Sequence, residues 1–81
     1  MNEPIREYDV VALLDDLPAT HFESGKPLQL RRGQVGTVVM AYNGSAFEVE
    51  FADLSGRAYA LVTVPSGKLM TLHQSPLTEA V

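Results

Sequence analysis

The chain has 81 residues, 46% of them hydrophobic, no cysteine and a formal net charge of −4. That length makes one domain near the lower limit of a self-sufficient core, worth about 3–5 kcal/mol from burial alone. The missing thiols exclude disulfides, cysteine-held zinc and thiol catalysis, and the acidic balance runs against general binding of nucleic acid or an anionic membrane.

Residues 1–7 are polar and read as a loose lead-in. Tyr8 to Leu14 (YDVVALL) predicts a strand with apolar residues on both faces. Helix is the competing reading, but the segment is short, carries the Val10-Val11 pair and runs into the turn Asp15-Asp16-Leu17-Pro18. Pro18 to Arg32 has little periodicity and is expected to be a long connecting loop. Its plain reading is a surface loop that closes the fold, and loops of this length are otherwise functional or mobile.

Thr37 to Tyr42 (TVVMAY) is β-branched and apolar, which suits a buried pleated surface. Gly33 and Gly36 stand at its opening. Asn43-Gly44 ends it, and because both residues tolerate positive φ this dipeptide predicts a tight hairpin. Phe47 to Phe51 (FEVEF) alternates, so Phe47, Val49 and Phe51 point to core while Glu48 and Glu50 point to water. Asp53-Leu54-Ser55-Gly56 is the next turn, with Gly56 suited to a left-handed position beside a bulge. Tyr59 to Val64 (YALVTV) returns as a third strand, which Pro65 ends by removing a ladder donor. Pro65-Ser66-Gly67 predicts a turn or a short 3₁₀ helix, Lys68 to Leu72 a last strand, and His73 to Val81 a frayed tail.

Both outer strands of the central three are apolar on both faces. Strict alternation sets Val38, Met40 and Tyr42 against Val39 and Ala41, and Tyr59 and Leu61 against Ala60, Val62 and Val64. Either the strands curl so that both faces meet core, or one face meets a second chain. A small twisted barrel satisfies the first. The element order predicts an all-β fold, a small SH3-like five-stranded antiparallel barrel with a long first loop. It would be a single domain over residues 1–81 with its core at about 8–72. No apolar leader follows Met1 and no run reaches the roughly 20 apolar residues of a membrane span, so a cytoplasmic location is expected.

The runs Asp9 to Leu14 and Asp16 to Pro18, then Gly33 to Val39 with Glu48 to Phe51, then Ala60 to Val64, resemble a bacterial family of small SH3-like β proteins known as a domain of unknown function. The resemblance covers about residues 8–72, and the stretch His21 to Leu30 departs from it as an enlarged first loop. It implies an SH3-like fold and a role as an accessory or interaction domain, beside a toxin, antitoxin or other partner encoded nearby. It carries no catalytic residues to transfer.

Several side chains are candidates for a site. His21, Glu23 and His73 include metal-ligating types, but no second spaced ligand pair supports them, so no metal and no cofactor is expected. Asp15 and Asp16, with Asp9 nearby, are better explained as turn residues than as an acid/base pair. Asn43-Gly44-Ser45 spells a glycosylation sequon that the hairpin turn explains. Lys26, Arg31 and Arg32 could form a basic corner, with the arginine pair suited to carboxylate or phosphate. Met40, Tyr42, Tyr59 and Met70 are candidates for an apolar contact face. The expected function is therefore a non-enzymatic protein-interaction or accessory module, open to homo-oligomer formation. Lys26, Arg31, Arg32, Met40, Tyr42 and Tyr59 are its expected contact residues. Two alternatives stand beside it: a KOW-like RNA- or ribosome-associated module using the basic corner, and an accessory subunit of an enzyme complex.

Overall fold

The computed structural model describes residues 4–77. Seven strands form among the described residues: β1 (Val10–Leu13), β2 (Leu17–Thr20), β3 (Pro27–Leu30), β4 (Val35–Tyr42), β5 (Ala46–Ala52), β6 (Ala58–Pro65) and β7 (Leu69–Thr71). A 3₁₀ turn at Ser66–Lys68 separates β6 from β7. All pairings are antiparallel. The main sheet has the order β6-β5-β4-β1-β7, and β2 and β3 form a second sheet of two strands.

The five strands expected from the sequence make the main sheet. Asn43 and Gly44 take φ of 52° and 74° at the β4–β5 turn, the left-handed pair this hairpin demands. The two Phe residues expected inside β5 are buried, as is Val49 between them. Val11 and Leu13 of β1, Val38 of β4, Ala60 and Val64 of β6 and Leu69 of β7 complete the same core. Each fully buried Phe contributes about 1.5–3 kcal/mol, so Phe47 and Phe51 carry a large share of a core this small.

The loop expected over Pro18 to Arg32 is instead mostly a hairpin. Leu17 pairs with Leu30, and Ala19 with Leu28. These four lie on one face of the hairpin and pack on the core, where Leu30 is fully buried. The reason is a period of two in Leu17/Ala19 and again in Leu28/Leu30, too short on each side to stand out from the proline and glycine around it. The hairpin covers the inner face of the main sheet. The main sheet itself does not close, because its end strands β6 and β7 do not pair. The expected closed barrel is thus an open sheet with a hairpin laid over it.

Two bulges reset the alternation. In β4, Val38 pairs with Val49 and Met40 with Glu48, which leaves Val39 as an extra residue. Val38 therefore points inward while Met40 and Tyr42 point outward, against the strict alternation that put all three on one face. In β6, Phe51 pairs with Ala60 and Ala52 with Ala58, which leaves Tyr59 as the extra residue. Tyr59 turns toward the core with Ala60 instead of outward with Leu61, and it is half-buried against the core cluster. The expected tail covers residues 73–77 without regular structure, and its remainder at 78–81, like residues 1–3 of the lead-in, lies outside the described residues.

Candidate functional site

Residues paired directly across strands share a face of the sheet, so the outer face can be read row by row. Met70, Ala12 and Val35 form one row. Val10, Thr37, Glu50 and Leu61 form the next. Met40, Glu48 and Thr63 form the third, followed by Tyr42, Ala46 and Pro65. Val10, Val35, Met40, Leu61 and Met70 remain 43–50% exposed, and Tyr42 is 42% exposed. Ala12, between Met70 and Val35, is itself buried. Contiguous exposed apolar surface of this kind marks contact sites, whereas single exposed apolar residues mean little.

Two carboxylates sit on β5 within this apolar face. Thr63 donates its hydroxyl to Glu48 Oε1 at 2.6 Å. Glu50 has no side-chain partner among the described residues and is exposed. The face therefore presents hydrocarbon on β1, β4, β6 and β7 around a negative strip. Its chemical complement is an apolar surface that carries a lysine or arginine.

The expected contact residues divide. Met40 and Tyr42 lie on the outer face. Tyr59 does not: its hydroxyl accepts a hydrogen bond from Gln34 Nε2, and Gln34 Oε1 in turn accepts from the Arg31 amide at 3.0 Å. That chain fixes the turn before β4 against β6. Lys26 lies at the tip of the β2–β3 hairpin, whereas Arg31 and Arg32 lie at its opposite end. The five residue steps between Lys26 and Arg31 span roughly 16 Å of extended strand, so the three cations do not form one corner. The Arg32 amide donates to Asp16 Oδ1 at 2.7 Å, which ties two turns together. Asp9 Oδ2 likewise accepts from the Arg6 amide at 2.9 Å. Both aspartates act on backbone amides.

The hairpin tip is fastened to the β5–β6 turn. The Phe22 amide donates to the Tyr59 carbonyl at 3.0 Å. Arg57 Nη2 donates to both Glu23 oxygens, at 3.1 and 3.2 Å. The pair is solvent-exposed, so it contributes about 0–1 kcal/mol. His21 Nδ1 accepts from the Glu23 and Ser24 amides, both at 3.2 Å, and its ring stacks on Phe22. His21 and Glu23 are thus engaged with backbone and arginine, and among the described residues no three metal-ligating side chains come together. In the turn itself, Asp53 Oδ1 accepts from the Ser55 hydroxyl at 2.6 Å and from the Ser55 and Arg57 amides. These bonds, the Ser55 hydroxyl first, hold its carboxyl below the usual aspartate range.

Val10, Val35 and Leu61 were not among the expected contacts. The signal that finds them is the Glu48/Glu50 pair, which marks the solvent side of β5. Register then carries that side across β4, β1 and β6. No helix among the described residues is long and apolar enough to cross a membrane.

The chain matches a family described as a domain of unknown function (DUF4926) over residues 7–71, and it belongs to that family. No curated protein and no solved structure matches it.

Proposed function

We propose that this chain is a non-enzymatic docking module of the cytoplasm, with an SH3-like strand order, whose outer sheet face receives a protein partner. The observation that carries the proposal is the group of half-exposed apolar side chains Val10, Val35, Met40, Leu61 and Met70, spread over three rows of one sheet face around Glu48 and Glu50. The SH3-like part rests on element order. A first strand, a long hairpin, a three-strand meander and a 3₁₀ turn lead into a last strand that pairs beside the first. The partner is a protein surface with apolar side chains and at least one cation aimed at Glu50.

The alternative of an RNA- or ribosome-associated module depends on Lys26, Arg31 and Arg32 acting together, and their separation along the hairpin works against it. A role as accessory subunit of an enzyme complex is the same docking with a larger partner. Affinity capture from host lysate, with and without nuclease, tests the proposal. The expected result is a stoichiometric protein that survives nuclease, is lost with Met40→Glu and is retained with Arg31→Ala/Arg32→Ala. Capture that nuclease removes and that depends on the arginines would overturn it in favour of RNA.

A further inference from the structure

The free edge of β6 is unlike the other edges of this fold. Natural sheets blunt an edge with charge, brevity, proline or a covering segment. β7 is only three residues long. β6 has eight residues, Ala58–Pro65, and no charged side chain among them. Two observations fix which of its backbone groups point away from β5. The Ser66 amide bonds the Ser45 carbonyl on the β5 side, so Val64, Val62 and Ala60 face β5 and Thr63 and Leu61 face away. Independently, the Tyr59 carbonyl accepts from Phe22 on the far side, which gives the same alternation. No backbone bond from another described residue reaches Leu61 or Thr63 on that edge.

The open window is short and symmetric. The hairpin tip closes it at Tyr59 through Phe22. Pro65, which has no amide proton, closes it at the other end. Between them stand Leu61 and Thr63, one on each side of Val62. We propose that β6 pairs antiparallel with β6 of a second copy of this chain, about a twofold axis through Val62. Leu61 of one copy then stands opposite Thr63 of the other, and the reverse. Each such pair exchanges two N–H···O bonds, which satisfies every outward amide and carbonyl of Leu61 and Thr63. At the axis the two Val62 side chains meet at the closest spacing an antiparallel ladder allows, and each is only half-buried in the single chain.

Charge selects the occupant. A second β6 brings no charge to the seam, and the glutamates of each copy stay one strand back on β5. A foreign strand has no such constraint on its register. A twofold arrangement also closes, so pairing stops at the dimer. The seam is small beside the interfaces of stable dimers, so the association is weak and depends on concentration. It uses an edge rather than the sheet face of the docking proposal.

Hydrogen exchange across a hundredfold concentration range tests the proposal, with sedimentation velocity on the same samples. The expected result is a dimer at high concentration, with protection that rises with concentration at the Leu61 and Thr63 amides. The Val62 amide, already bonded to β5, should not change. Leu61→Lys places like charges near the seam and should weaken dimerisation at least tenfold with its thermal midpoint unchanged. Thr63→Pro removes a seam donor at an edge position and should weaken dimerisation likewise, with a small loss of stability from the hydroxyl bond to Glu48, which guards against a misleading effect of one substitution. A strict monomer throughout overturns the proposal. So does a dimer that resists both substitutions while Met40→Glu breaks it, since its contact would then be the sheet face.

Discussion

Gly36 is the position where one added methyl group should cost the most. It sits in β4 opposite Val11, in the centre of the main sheet. Glycine in a strand interior normally weakens it, so alanine would be expected to gain about 0.5–1 kcal/mol. Here a Cβ would come within 2.7 Å of Val49 Cγ1, 2.9 Å of the Glu50 carbonyl oxygen and 2.9 Å of Phe51 Cε1. Comfortable carbon contacts lie at about 3.5–4.0 Å. Val49 and Phe51 are fully buried, and the Glu50 carbonyl belongs to the backbone of β5, so none of the three can swing away. Overpacking of this kind costs about 1–3 kcal/mol. For a domain of this length that lowers the thermal midpoint by roughly 4–8 °C per kcal/mol. Gly67 is the internal control: a Cβ added there would meet nothing within 4 Å, and its φ is not positive. Gly67→Ala should be neutral or gain up to about 1 kcal/mol through the unfolded chain. Urea unfolding of both variants, read at equal m-values, checks the pair. A Gly36→Ala protein as stable as the parent would refute the close-packed β4–β5 crossing from which the cost is derived.

Other expectations follow from single bonds. Tyr59→Phe keeps the ring in its half-buried place but removes the acceptor of Gln34, so it should lose about 0.5–1.5 kcal/mol in the same urea assay. Glu23→Gln should change stability by less than about 1 kcal/mol, since its partner Arg57 is exposed, and the change should vanish in high salt. Asp53 titrates lower in the folded chain than in the unfolded one, so the folded state favours its carboxylate. That contribution is complete above the unfolded value and is lost as pH falls through the folded one. Asp53→Asn should therefore flatten the acid limb of the stability curve, and carboxyl chemical shifts should place its midpoint below that of an unstructured aspartate.

Much of the fold was legible because the informative residues are local. Asn43-Gly44 specifies a turn on its own, and FEVEF states its own inside and outside. Gly56 announced a bulge at the β5–β6 turn, and it takes φ of 87° beside the one in β6, but which residue a bulge leaves unpaired was not legible, because that is defined only by the partner strand. Val39 and Tyr59 look like their neighbours in the sequence, yet they decide that Met40 faces out and Tyr59 faces in. The β2–β3 hairpin was hidden for a related reason: two residues per strand carry its pattern, and only the core they cover makes it stable. The outer face was half legible. Met40 and Tyr42 could be named as apolar residues with nowhere to go, but Val10, Val35 and Leu61 join them only once register places them beside Glu48 and Glu50. The spacing of Lys26 from Arg31 and Arg32 was not legible either, since three cations within seven residues look adjacent until a strand separates them.

The position of β1 between β4 and β7 has a kinetic consequence. Val11 pairs with Gly36 and with Thr71, twenty-five and sixty residues along the chain, whereas Tyr42 pairs with Ala46 only four residues away. Loop-closure entropy makes the two long closures costlier than the short one by about 1.6 and 2.4 kcal/mol. The β4–β5–β6 meander can form from its own turns before either long closure has to be met. β1 is then the last central strand to be seated, between one neighbour already in place and one that arrives with it. Substitutions such as Val49→Ala should slow folding, while Val11→Ala should chiefly speed unfolding. The first residues of the sheet to leave a ribosome are thus the last to find their partners.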